Sequence, residues 1–156
     1  MGNALSWFLL GLLVVMLLAA SWCDLKSRTI PNSLNIAIAL LAIPFWWSIG
    51  LTLWPDAAIQ IGVAFLVFAL FAIAFAMGAM GGGDVKLVGA LALWLPFQAV
   101  IVLLFVMSIA GGVLTLAMYL RHKLARNQGQ LEIPYGVAIA FGGLWLISER
   151  FLNQFG

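Results

Sequence analysis

The chain has 156 residues, 65% of them apolar and only 8% charged, with a formal net charge of +2. An ordinary soluble domain is about half apolar and about a quarter charged. Seven basic and five acidic residues cannot wet a soluble protein of this length, which argues against a water-soluble enzyme, a disordered chain or a nucleic-acid-binding domain.

A spanning helix takes about 20 apolar residues. The composition therefore predicts an all-α, polytopic membrane helical bundle of about six transmembrane helices, with residues 1–156 forming one domain. The first apolar run, Leu5 to Ala20, has no charged n-region or small-residue cleavage site and is expected to stay as the first helix. A polar stretch from Ser21 follows and closes at Pro31, with Asn32 or Ser33 available to cap a second helix over about Leu34 to Ile49. Trp54-Pro55-Asp56 marks a turn, and Asp56 is expected to cap a third helix reaching about Met77. Then comes Gly78-Ala79-Met80-Gly81-Gly82-Gly83-Asp84-Val85-Lys86. A fourth apolar run, Val85 to Leu95, stops at Pro96. At about 1.5 Å per residue it covers roughly half the hydrocarbon thickness. The fifth helix is expected over about Phe97 to Tyr119 and the sixth over about Pro134 to Leu152.

Basic residues set the orientation, because loops rich in Lys and Arg stay cytoplasmic. Lys26 and Arg28 follow the first helix, Lys86 the third, and Arg121, Lys123 and Arg126 the fifth. With both termini outside, only Arg150 lies on the outer face. Trp7, Trp46, Trp47, Trp54, Trp94 and Trp145 would then form an outer aromatic belt.

The chemistry must come from few groups. Cys23 is the one cysteine and His122 the one histidine, so neither an internal disulfide nor a multi-cysteine zinc site nor a His-based metal cluster is available; no metal and no cofactor are expected. Asp56 reads as a cap, Glu132 as a solvated loop charge, and Glu149 as a partner for Arg150. Asp24 and Asp84 differ: each sits where a helix meets the cytoplasmic interface. A carboxylate at the edge of a span is costly unless it faces the bundle interior. Pairing with Lys26 or Lys86 is the plain structural reading. The glycines before Asp84 favour a site, since they leave room for another backbone; close helix packing at Gly78 and Gly82 is the structural alternative. Two facing aspartates share a proton, so one can activate water while the other hydrogen-bonds a scissile carbonyl.

Asp24 with Lys-Ser-Arg-Thr-Ile-Pro31-Asn32, and Gly81-Gly82-Gly83-Asp84-Val85-Lys86, resemble the type IV prepilin peptidases, membrane aspartyl proteases with a GxGD motif. Pro134-Tyr135-Gly136-Val137-Ala138 is similar to the family's C-terminal signature. The resemblance implies a catalytic pair, Asp24 and Asp84, that cuts the short basic leader of pilin or pseudopilin precursors at the cytoplasmic face of the bacterial inner membrane. It suggests substrate contacts at Gly81, Gly82, Gly83, Lys86, Pro134, Tyr135 and Gly136, with Lys26, Arg28 and Lys86 tuning the aspartates or anchoring lipid headgroups; for Arg28 plain anchoring is the simpler reading. Membrane lipids and pilus assembly machinery are the other implied partners. Large members carry a four-cysteine zinc region and also methylate the new N-terminus. With Cys23 alone, this chain resembles the short Flp/Tad form, and methyl transfer is not expected. A presenilin-type protease, a small proton- or cation-coupled transporter and a catalytically dead assembly subunit are the rival readings. Against the transporter, both carboxylates fall at one face and no inverted repeat, such as those folds show, relates the halves of this chain.

Overall fold

The computed structural model describes residues 2–124 and 133–155, with side chains over 4–124 and 133–150; Arg126 and Glu132 lie outside the described residues. The described residues form six helices and no strand: α1 (Gly2–Ser27), α2 (Asn32–Ser48), α3 (Ala58–Ala76), α4 (Gly82–Ala92), α5 (Phe97–Leu124) and α6 (Tyr135–Phe155). This is a helical membrane bundle. The segments Ala4–Ser27, Leu53–Ala76 and Phe97–Leu124 are each long and apolar enough to cross a membrane, and α2 is apolar but shorter. Large apolar side chains such as Phe8, Phe65, Leu66 and Phe105 are about two-thirds exposed. That surface suits lipid and would be a liability in water.

The helix ends depart from the sequence expectation in instructive ways. Helix α1 runs seven residues past Ala20, carrying Asp24 into its last turn. It stops at Arg28, whose φ is 54° and whose N–H donates to the Asp24 carbonyl at 3.0 Å. The helix-starting role expected of Asn32 or Ser33 falls instead to Pro31 (φ −58°, ψ 137°), and no side chain caps α2. Asp56 does not cap α3 either. It lies in a wide turn over Leu53–Ala57, where its Oδ2 accepts from Thr52 Oγ1 at 2.7 Å. Helix α3 ends where Gly78 adopts φ 73°. The Gly78 and Ala79 amides donate back to the carbonyls of Phe75 and Ala74, both at 2.9 Å, a helix stop that favours glycine. Gly78 therefore terminates a helix rather than packing two together.

Short α4 forms the centre of the bundle. Eight of its 11 residues are buried, and it packs against α2, α3 and α6. Close approach is possible because Gly89 faces Phe68 of α3, where an added Cβ would come within 3.2 Å. At its far end α4 stops inside the bundle, where unpaired carbonyls are costly. The Leu93 carbonyl accepts from both Trp46 Nε1 and Gln60 Nε2 at 2.7 Å, and the Trp94 indole donates to the Ile38 carbonyl at 2.8 Å. Trp94, only 2% exposed, is thus an internal brace rather than part of an aromatic belt, and Trp46 has the same kind of work. Arg150 lies over the Phe45 ring at 5.7 Å, a cation–π contact in place of the expected pairing with Glu149.

Candidate active site

Three helix ends converge on one spot: the last turn of α1 brings Asp24, the first turn of α4 brings Asp84, and the first turn of α6 brings Gly136. Both aspartates are buried, at 4% and 7% exposure. A Cβ placed on Gly136 would lie 2.8 Å from Asp24 Oδ2 and 3.0 Å from Asp84 Oδ1. These two oxygens are therefore no more than about 6 Å apart, inside the range over which like charges couple.

Backbone amides complete the setting. The Val137 N–H donates to Asp24 Oδ2 at 3.3 Å, and the Gly136 amide faces both carboxylates. The N-terminus of α6 thus directs its first amide N–H groups and positive dipole end at the pair. Pro134, fully buried, comes immediately before that helix, a place where a missing N–H costs nothing. Asp84 is the third residue of α4, and it folds back towards the Gly81 amide, the reciprocal half of a capping box. Asn35, buried on α2, donates from Nδ2 to the Gly83 carbonyl at 3.2 Å, which ties the start of α4 to α2 beside Asp84.

The glycine run divides by position. Gly81 is extended, with φ −74° and ψ 145°, while Gly82 and Gly83 already belong to α4. An added Cβ at Gly82 would come within 3.3 Å of the Phe75 ring, and one at Gly83 within 3.3 Å of the Ile30 backbone nitrogen. Gly82 and Gly83 let α4 seat against α3 and the α1–α2 loop. Gly81 and Tyr135 line an open cleft of about 590 Å³ with Asp24, Asp84, Arg28 and Thr29. Lys86 is turned away: its Nζ donates to Asn32 Oδ1 at 2.8 Å, and it borders a separate groove between α2 and α3.

Arg28 gains a position that sequence reasoning did not give it. It lines the cleft, and its Nη1 is buried without a hydrogen-bond partner. A guanidinium N–H in that state is an unmet donor. Asn35 was also missed, although an asparagine inside an otherwise apolar helix is itself a signal. Among the described residues, no group of three or more His, Cys, Asp or Glu side chains gathers as a metal site would require.

Residues 11–116 match the model of the type IV leader peptidase family, a stretch that includes both aspartates. The chain belongs to this family. A prepilin leader peptidase/N-methyltransferase of Neisseria gonorrhoeae is 27% identical over 148 residues, covering 91% of this chain and 49% of that protein. Its counterpart in Aeromonas hydrophila is 29% identical over 155 residues, covering 92% and 52%. The one in Pectobacterium carotovorum is 28% identical over 138 residues, covering 86% and 48%. The chain thus spans about half the length of the curated relatives it matches. No solved structure matches it.

Proposed function

We propose that this chain is an aspartyl endopeptidase that removes the leader of type IV, Flp-like prepilins at the cytoplasmic face of the bacterial inner membrane. The observation that carries this reading is the approach of Asp24 and Asp84 oxygens to within 3.0 Å of a single point at Gly136, in an open cleft. Family membership and the relatives' names support the substrate class.

The chemistry uses the two carboxyl groups and one water. The ionised aspartate takes a proton from water as the oxygen attacks the scissile carbonyl carbon, while the protonated aspartate donates its hydrogen to the carbonyl oxygen. Collapse of the tetrahedral diol breaks the C–N bond, and the proton first taken from water passes to the leaving amine. The α6 amides hold Asp24 in place. Arg28 Nη1 is suited to donate to a main-chain carbonyl of the bound segment, which would be its missing partner. No step calls for a metal or nucleotide.

Orientation rests on charge. Lys26, Arg28, Lys86, Arg121 and Lys123 all belong to the end of the bundle that carries the aspartates, and Arg150 belongs to the other. The positive-inside rule puts the aspartates at the cytoplasm and both termini outside. Cys23 being the one cysteine of the chain, the four-cysteine region of the bifunctional members cannot form within it, and this reading assigns the chain no methyl transfer. Pilus assembly machinery and lipid are its natural neighbours.

The deciding experiment is incubation of the purified chain with a pilin precursor in detergent, without added metal or nucleotide. The expected result is a shortened pilin with a free N-terminus, and no methyl group on it when S-adenosylmethionine is added. Persistence of the full-length precursor would reject the peptidase and turn attention to a proton- or cation-handling role for the same carboxylates.

A further inference from the structure

Among the described residues that line the cleft, Arg28 is the one cation. It closes α1 with φ 54°, in the left-handed region that favours glycine. A helix stop at this point does not call for arginine, so the reason for the side chain lies in what it meets. It shares the cleft with Asp24 and Asp84, is half-buried, and holds Nη1 inside the protein without a hydrogen-bond partner.

Most other donors of the cleft are engaged. The Val137 N–H donates to Asp24 Oδ2 at 3.3 Å, and the Gly81 amide faces Asp84. Ser27 Oγ donates to the Cys23 carbonyl at 2.9 Å and Thr29 Oγ1 to Ser27 Oγ at 3.1 Å. Tyr135 adds a hydroxyl, which is neutral. A guanidinium in such a setting discriminates by charge. On the peptidase reading, hydrolysis turns the neutral scissile carbonyl into an anion. The water oxygen joins the acyl carbon and the C–N bond breaks. The leader is left with two oxygens sharing one negative charge, and the other fragment with an amine. Hydrogen bonds to an ionised acceptor are about twice as strong as neutral ones, and the arginine fork fits a carboxylate with two parallel bonds. Without a cation, this third carboxyl group would be repelled by its two neighbours.

We infer that Arg28 is the binding site for the new C-terminal carboxylate of the cut leader, so that the released leader competes with the precursor and inhibits the enzyme. This rests on the peptidase reading and adds to it a site for the product. The ligand class is a short peptide that ends in a free carboxylate. A peptide that ends in an amide, like the uncut chain, offers Arg28 only a neutral oxygen.

Two synthetic peptides with the leader sequence of the precursor make the test, one ending in a carboxylate and the other in an amide. Against the wild-type chain in detergent, the acid should inhibit precursor cleavage with a Ki about tenfold below that of the amide. Direct binding of the same peptides, labelled at the N-terminus and followed by fluorescence polarisation, should show the same preference. In Arg28→Gln the preference should vanish through weaker binding of the acid. In Arg28→Lys, which keeps the charge and loses the fork, it should be intermediate. Binding is read without turnover, so a variant that no longer cuts still reports, and the comparison of acid with amide on the wild-type chain needs no variant. Equal binding of acid and amide by the wild-type chain, or a preference that survives intact in Arg28→Gln, overturns the inference. Both outcomes are separable from failure of the peptidase reading, in which the wild-type chain would leave the precursor intact.

Discussion

The two ends of α4 are built on opposite terms. At its C-terminal end side-chain donors close the helix: Trp46 and Gln60 converge on the Leu93 carbonyl and Trp94 reaches the Ile38 carbonyl. At its N-terminal end Asp84 faces Asp24 across an open cleft, and Arg28 Nη1 has no partner. Within one short helix, one end is closed by hydrogen bonds and the other opens on the cleft where the proposed chemistry would take place. On the proposed peptidase reading, the unpaired groups await partners that a substrate would bring, a cost that the fixed opposite end helps to sustain.

This contrast can be broken from either side. The largest effect is expected at the open end. Asp24→Asn or Asp84→Asn should each lower the rate of precursor cleavage by about a thousandfold or more, and the double variant should be no worse, because the pair acts as one unit. Asp56→Asn is the control: Asp56 is exposed and bonded to Thr52, and precursor cleavage should stay near wild type. Normal cleavage by Asp24→Asn would remove the proposed dyad.

Gly136→Ala comes next. The new methyl would lie 2.7 Å from Ile30 Cδ1, 2.8 Å from Asp24 Oδ2 and 3.0 Å from Asp84 Oδ1, so it must push the carboxylates apart. A displacement near 1 Å at reacting groups costs about a hundredfold in rate. Single-turnover cleavage assays should show that loss in kcat, while Gly62→Ala, where a Cβ meets nothing, should match wild type.

The sealed end should respond in stability instead. Gln60→Leu removes one of two donors to the Leu93 carbonyl and should cost about 1 kcal/mol. It should lower the thermal midpoint followed by circular dichroism in detergent, with kcat nearly unchanged. A fall in kcat without a fall in the midpoint would show that the two ends are not divided as described.

Much of this architecture is legible in the residues alone. Long apolar runs announce α1, α3 and α5, and the short run before Pro96 announces a helix too brief to cross alone. Asp24 and Asp84 stand out as carboxylates at span edges. Helix ends were less legible. The apolar run stops at Ala20 and Asp24 reads as the edge of the first helix, yet α1 continues through the polar residues to Ser27. Trp46 and Trp94 read as interfacial aromatics, but their indole donors meet carbonyls that only the packed bundle presents.

Composition and pattern by themselves determined a helical membrane protein, its helix order and the two acids worth testing, since hydrophobicity and burial cost act locally along a chain. Tertiary structure alone decided that Gly136 separates those acids and that Arg28 enters their cleft while Lys86 leaves it. These are relations between segments distant in sequence. No local preference encodes them; they arise when three helix ends are packed into one space and each side chain takes the room the others leave.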